Sequence, residues 1–190
     1  MQKTEVLKIN ITGSEILNTD ALEIKEPATD VQEAEILNLY ALYSNMVYRI
    51  AVSYLCQLQD AQDVVQAVFM KIIEGKAQPE PGKERAFLTG ITINYCKDVL
   101  RSAWKRKTVP LEEAENKPVF EFEEDNELFN EVMKLPYKLR IVLHLHYYEG
   151  YNFKEIASFL KISLSAVSMR IHRSRKILKE KLREDNGYVR

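Results

Sequence analysis

The sequence predicts an all-α protein, and three observations favour that class. From Glu35 onward, apolar residues recur at steps of three and four through nearly the whole chain, as on the buried face of a helix. The breaks between these stretches fall mostly at short segments that contain glycine or proline. No alternating strand pattern competes outside residues 1–33. We therefore expect two small helical domains, a helical bundle and a helix-turn-helix, joined by an acidic linker.

The N-terminal residues 1–33 combine weak periodicity with a break at Pro27. They are predicted to form a flexible extension, with a short strand-like piece at 6–11. No group with recognisable chemistry stands out in this extension.

Residues 34–108 predict a bundle of three helices. The first helix begins near Glu35, and the second follows a break at residues 58–60, where Asp60 is placed to cap it. Gly75 ends the second helix, and an irregular loop leads to a third helix that starts near Arg85 and runs to Lys107.

Residues 109–127 carry eight acidic side chains against one basic side chain. This run repels itself and buries little, so its composition predicts a linker. The second domain is expected at 128–184, and residues 185–190 are expected to form a tail.

Residues 153–175 predict a helix, a tight turn and a second helix with a basic exposed face. Ser163 is a suitable N-cap for the second helix, whose inner side would carry Val167, Ile171 and Leu178. A helix-turn-helix presents its second helix to the major groove of DNA. An ordinary helical hairpin with a solvated basic face remains possible from periodicity alone.

Charge is strongly segregated along the chain, although the net charge is only −1. Residues 97–107 sum to +4 and residues 134–184 sum to +8, whereas the linker at 109–127 sums to −7. Two basic modules on either side of an acidic connector suggest two contacts with a polyanion such as nucleic acid.

Several other classes of protein find little support. His144 and His146 face different sides of a helix, and no cysteine or carboxylate cluster completes a metal site, so no metal and no cofactor is expected. No catalytic constellation is recognisable, which argues against an enzyme. No apolar run is long enough to span a bilayer, so no membrane-spanning helix and no signal peptide are expected. Cys56 and Cys96 are expected to be buried free thiols in a cytoplasmic protein.

The third helix combines aromatic, amide and basic side chains, among them Asn94, Tyr95, Lys97 and Trp104. Such a mixture suits single-stranded or melted DNA, because unstacked bases stack on aromatic rings while phosphates meet cations. The alternative interpretation places the two aromatic rings in the core.

Two sets of motifs then resemble a known family. The first set is an Asp-x-x-Asp-apolar-apolar-Gln-x-apolar-Phe run at 60–69, followed by Asn-x-x-x-Asp-x-x-Arg at 94–101. The second set opens with Leu135, Pro136 and Arg140 and continues through 149–157 to the run at 167–175. With these motifs in this order, the chain resembles the sigma-70 family of bacterial RNA polymerase sigma factors. It is most similar to the compact form called extracytoplasmic function (ECF) sigma factors.

The resemblance implies a dissociable initiation subunit that binds core polymerase and directs promoter-specific transcription initiation. Its first domain would be sigma region 2 and its second domain sigma region 4. Four residues are expected to bind the clamp of the largest polymerase subunit: Asp60, Asp63, Gln66 and Phe69. Five residues are expected to hold the opened −10 element, beside the loop 76–86: Asn94, Tyr95, Lys97, Arg101 and Lys105. Six residues are expected at the −35 element: Ser165, Ala166, Ser168, Met169, Arg170 and Arg173.

The partners implied by the resemblance are the polymerase clamp and flap, promoter DNA and an anti-sigma factor, without direct membrane insertion. The alternative is a conventional helix-turn-helix regulator that acts without core polymerase. A purely protein-binding adaptor is a second alternative.

Some positions depart from the family pattern. Ala166, Ser168 and Met169 replace the more usual Thr, Lys and Ser, so a promoter sequence does not carry over from relatives. Lys161 stands where a turn glycine is common, which predicts that this residue avoids the left-handed conformation.

Overall fold

The computed structural model describes residues 30–106 and 127–185. Throughout these two ranges the regular structure is helical and contains no strand, as predicted. Most of the extension, most of the linker and the end of the tail lie outside them, as does the strand-like piece predicted at 6–11. Residues 30–33, which were predicted to belong to the flexible extension, instead form the first turn of α1. The elements are α1 (Asp30–Leu55), α2 (Leu58–Ile73), α3 (Glu84–Arg106), α4 (Glu127–Lys134), α5 (Tyr137–Leu143), a π-helical turn (His144–Tyr148), α6 (Phe153–Leu160) and α7 (Leu164–Asp185).

Helices α1 to α3 form a three-helix bundle, the first module of the protein. Each helix buries one apolar stripe against the other two, and the predicted spacing of three and four residues decides which side chains are inside. The fully buried side chains of this core include Val47 and Ile50 from α1, Val64 and Val68 from α2, and Leu88 and Ile93 from α3.

Helices α4 to α7 form the second module, which packs directly on the first. Helix α5 lies between α1 and α7, and its Ile141 and Val142 are almost completely buried. Buried residues from both modules belong to one continuous core. The sequence predicted two domains and a linker, but it did not predict that their cores would be joined.

The predicted capping role of Asp60 is wrong. Helix α2 begins at Leu58 with Gln57 at the N-cap position, three residues before the predicted cap at Asp60. The reason is a sharp turn at Cys56, whose φ of 54° redirects the chain immediately after α1. Asp60 therefore lies inside the first turn of α2, where a carboxylate still complements the helix dipole.

The expectation that Lys161 avoids the left-handed region is also wrong. Lys161 has φ 57° and ψ 50°, at the C-terminal end of α6. In this conformation the backbone N–H of Ile162 donates to the carbonyl of Ala157 at 3.0 Å, which closes the helix end. A lysine in this conformation costs about 1 kcal/mol relative to glycine, and the satisfied helix end offsets that cost.

Both cysteines are buried free thiols, as predicted. Burial raises the pKa of Cys56 and of Cys96, so neither side chain is a thiolate at neutral pH.

Candidate functional site

The first candidate surface lies on α2, where the predicted polymerase-binding residues are. Asp63 and Gln66 are exposed and Asp60 is half-buried, whereas the ring of Phe69 is only 3% exposed. Phe69 packs edge-to-face on Tyr40 of α1, with the ring centroids 4.9 Å apart. Phe69 is therefore a core residue that a partner reaches only through the groove between α1 and α2.

That groove between α1 and α2 is open to solvent and has a volume of about 450 Å³. Two of its apolar side chains are exposed to solvent: Met70 at 44% and Ile73 at 56%. Amide side chains form much of its rim. Its lining residues are Tyr40, Ser44, Asn45, Tyr48, Gln62, Val65, Gln66, Phe69, Met70 and Ile73. An exposed apolar groove with a polar rim is typical of a protein–protein contact.

The second candidate surface is one face of α3. Asn94, Lys97 and Arg101 follow each other at steps of three and four residues, so they share this face. Asn94 and Arg101 are exposed, and Arg101 forms an ion pair with Asp98 at 3.2 Å. Tyr95 is half-buried, with the Nζ of Lys71 5.8 Å from its ring centroid. Lys105 falls on the same helix, and its side chain lies outside the described part of the structure.

Lys97 is half-buried, and its side chain reaches across to the second module. Its Nζ donates to the backbone carbonyls of Phe159 and Leu160, at 3.4 and 3.2 Å. Burial lowers the pKa of Lys97, and the charge of Lys161 lowers it further. The lysine therefore caps the C-terminal end of α6, where a cation is favourable.

The third candidate surface is the helix-turn-helix. Asn152 caps α6 through a complete capping box with Glu155. The hydroxyl of Ser163 accepts a hydrogen bond from the backbone N–H of Ala166 at 3.1 Å, and this bond confirms the predicted cap of α7. Val167 and Ile171 are buried on the inner side of α7, as predicted.

The six residues expected at DNA divide into two groups on α7. Ala166 and Arg170 are half-buried at the edge of the helix-turn-helix. The other four are exposed: Ser165, Ser168, Met169 and Arg173. Three of these, Ser165, Met169 and Arg173, follow each other at four-residue steps and form one stripe along the helix.

Arg140 joins the two modules and is only 1% exposed. Its guanidinium donates to the carbonyl oxygens of Ser53 at 2.5 Å and Tyr54 at 3.5 Å, which belong to the last turn of α1. It also donates to the carbonyls of Met133 at 2.8 Å and Leu135 at 2.6 Å, at the end of α4. One buried cation thus satisfies carbonyl groups at the ends of two helices from different modules.

Glu149 forms a second connection between the modules, and its side chain is 4% exposed. Its carboxylate lies 3.4 Å from Arg49 of α1, 3.1 Å from Arg85 of α3 and 3.4 Å from His144. Burial by itself raises the pKa of Glu149, but hydrogen bonds and charges from His144, Arg85 and Arg49 outweigh burial. The pKa therefore lies below its usual value of 4.5.

Replacing Glu149 by glutamine is expected to lower the free energy of unfolding at pH 7 by about 1–3 kcal/mol, because two partly buried hydrogen bonds to Arg49 and Arg85 lose the negative charge of their acceptor. Since the folded pKa is depressed, the stabilisation is complete above the unfolded pKa and is lost as the pH falls through the folded pKa. Urea unfolding from pH 7 to pH 3 measures both effects. Native protein should lose stability more steeply than Glu149→Gln below about pH 4.5.

Glu180→Gln is the matched control for this prediction, because Glu180 is exposed on α7 and pairs only loosely with Lys176 at 4.0 Å. It should match the native protein at every pH. Equal slopes for the native protein and Glu149→Gln would show that the carboxylate carries no such stabilisation.

Comparison with known proteins identifies both modules. A family model described as sigma-70 region 2 matches residues 39–106, and one described as sigma-70 region 4 matches residues 126–178. The two matches together span more than half of the chain. The chain belongs to the sigma-70 family. Within that family it is an RNA polymerase sigma factor of the ECF type, as the resemblance in its motifs predicted.

Individual relatives agree with this assignment. The ECF RNA polymerase sigma factor SigE of Mycolicibacterium smegmatis is 24% identical, over 90% of this chain and 68% of the relative. The sigma factor SigV of Bacillus subtilis is 25% identical, over 73% of this chain and 86% of the relative. Among solved structures, the sigma factor RpoE of Bartonella quintana, crystallised with the anti-sigma factor NepR, matches with a TM-score of 0.61. It is 16% identical, over 78% of this chain and 97% of that chain, and this likeness shows the shared fold.

The described residues hold no cluster of histidine, cysteine and carboxylate side chains that suits a metal ion. No helix in the same part of the chain has the length and apolar character to cross a membrane.

The residues that join the modules were not recognised as such from the sequence. The sequence indicates Arg140 and Glu149 only as positions of the family motifs. A local signal does exist for Arg140, because residues 139–143 are apolar apart from this arginine, and a helical segment that is apolar on every side is buried. No local signal identifies the two arginine partners of Glu149, Arg49 and Arg85, which lie 100 and 64 residues away.

Proposed function

We propose that this sigma factor binds core polymerase through the exposed side of α2 and the promoter through α3 and α7. The main support for this proposal is that region 2 and region 4 each present a separate exposed face whose chemical character suits its proposed partner. On α2, Gln66 lines the open apolar groove between α1 and α2, and Asp63 is exposed on the same helix. On α7, Arg173, Arg175 and Lys176 make the exposed side basic. The first face suits a protein partner and the second suits DNA phosphates.

On α3, Asn94 and Arg101 face solvent and are available for a melted −10 strand, where exposed bases and phosphates meet amide and cationic groups. Lys97 reaches such a strand only after its two hydrogen bonds to the end of α6 break. Binding of the −10 element by Lys97 therefore requires its side chain to leave the end of α6.

The partners and location follow from this role. The protein acts as an initiation factor rather than a catalyst, in the cytoplasm, where it meets the polymerase clamp and flap. Since the RpoE sigma factor of Bartonella quintana was crystallised with an anti-sigma factor, we also propose that an anti-sigma factor binds this chain.

The decisive experiment is in vitro transcription from a library of random promoters, with core polymerase and the full chain. Promoter-specific transcripts whose templates share both an upstream and a −10 element are expected, and core polymerase alone serves as the control. A conventional helix-turn-helix regulator would bind duplex DNA but would not confer promoter-specific initiation on core polymerase. That outcome would overturn the proposed function.

A further inference from the structure

Met169 is an apolar side chain held in solvent by the packing of α7. Val167 and Ile171, two residues away on either side, are buried at 0% and 5% exposure and fix how the helix is rotated. Two residues along a helix correspond to a turn of about 200°, so Met169 lies opposite the buried face. Ser174, which follows Ile171 on the same side of α7, is fully buried with its hydroxyl oxygen 3.3 Å from the carbonyl oxygen of Leu139 in α5, in agreement with this rotation. Met169 is consequently 66% exposed.

The residues of α7 that precede Met169 lack the usual groups that recognise polar base edges. Guanine is bound by Arg or Lys and adenine by Asn or Gln, through paired hydrogen bonds. Positions 164–169 of α7 hold only leucine, serine, alanine, valine, serine and methionine. The first exposed cation of this helix is Arg173, one turn further along the same stripe.

The stripe therefore changes character along its length. Its N-terminal part, with Ser165 and Met169, is neutral, and its C-terminal part, with Arg173 and Lys176, is basic. In a docked helix-turn-helix the N-terminal residues of the second helix contact base edges. Cations at the other end are suited to phosphates, which position the helix without specifying sequence.

On the basis of the proposed function, we propose that Met169 determines promoter specificity by contacting the C5-methyl group of a thymine in the −35 element. The thymine methyl is the one apolar group that a base pair presents in the major groove. A flexible thioether side chain fits against such a methyl group and loses no hydrogen bond in doing so. The −35 element of this sigma factor thus contains a thymine opposite the second turn of α7.

Replacement of thymine by deoxyuracil tests the contact directly, because it removes the methyl group and leaves the base pairing intact. The −35 element is first selected from a randomised pool with holoenzyme, and each thymine in it is then replaced in turn. At one position the affinity of native holoenzyme should fall about fourfold, which is the expected effect of losing one buried methyl group from the interface. At the remaining thymines the affinity should stay the same.

Two variants assign the effect to Met169. With Met169→Ala, the ratio of the affinity for the thymine template to the affinity for the uracil template at that position should fall to about one. Removing either partner removes the same contact. With Met169→Gln, adenine should replace thymine as the preferred base by about fivefold or more, because glutamine pairs with the adenine edge. Leu164→Ala is the matched control: Leu164 is also apolar and 48% exposed on α7, but about 140° around the helix, so this variant should keep the native ratio.

The inference is overturned if no thymine shows a methyl effect, if Met169→Ala keeps the native ratio, or if Leu164→Ala abolishes it. An enriched −35 element without thymine would also overturn it. These outcomes leave the proposed function intact. Failure of holoenzyme to enrich any upstream element would instead contradict the proposed function itself, and the inference with it.

Discussion

Replacing Arg140 by alanine is expected to lower the free energy of unfolding by about 4 kcal/mol, among the larger effects of a single substitution. The guanidinium donates to four backbone carbonyls, from Ser53, Tyr54, Met133 and Leu135, and alanine supplies no donor to any of them. Each buried carbonyl left without a partner costs about 1–3 kcal/mol. The vacated space at a site that is 1% exposed adds a cavity cost.

Urea unfolding followed by far-ultraviolet circular dichroism measures this loss. Arg173→Ala is the matched control, because Arg173 is exposed on α7 and its truncation should change stability by no more than about 0.5 kcal/mol. Arg140→Lys keeps the positive charge, but its single ammonium group does not reach both helix ends. It should fall between native protein and alanine variant, and it remains measurable if the alanine variant does not fold. A loss below about 1 kcal/mol in both Arg140 variants would contradict the structural role of the guanidinium.

Arg140 also shows why the arrangement of the modules was harder to predict than the helices. The helices follow from apolar spacing within single segments, and the burial of Val64, Val68, Val167 and Ile171 agrees with that spacing. The packing of α5 on α1 depends instead on contacts between residues 86 and 87 positions apart. Local periodicity contains no information about such pairs.

The candidate surfaces show the same division. The capping role of Ser163 and the buried face of α7 were predictable because they depend on residues within two turns. The position of Lys97 was not, because its partners are backbone carbonyls of a helix more than 60 residues away. The positive φ angles of Cys56 and Lys161 were also not predictable from the sequence. These non-glycine residues adopt them because the surrounding helices fix the direction of the chain.

The second large effect is expected at Asp63, which we propose contacts the polymerase clamp. Asp63 is exposed on α2, and its described polar contact is a long hydrogen bond of 3.5 Å from Gln59. Asp63→Lys should therefore leave the fold stable to within about 0.5 kcal/mol. At a polar interface rim, however, reversal of a charge turns an attraction into a repulsion. We expect the affinity for core polymerase to fall at least tenfold and promoter-specific transcription to fall with it.

Fluorescence anisotropy of the labelled sigma factor, titrated with core polymerase, measures this affinity without requiring promoter DNA. Glu180→Lys makes the same change of charge at an exposed site on α7 and should bind core polymerase like the native protein. Because the effect of Asp63→Lys is electrostatic, it should shrink as the ionic strength rises and exposed charges are screened. Gln66→Ala, at the rim of the groove, should also weaken binding, but without that dependence on salt, since no charge changes. If Asp63→Lys and Glu180→Lys bound core polymerase equally well, the clamp would contact a different face of the first module. The groove between α1 and α2 would then lose its assignment as the polymerase-binding surface, whereas the assignments on α3 and α7 would be unaffected.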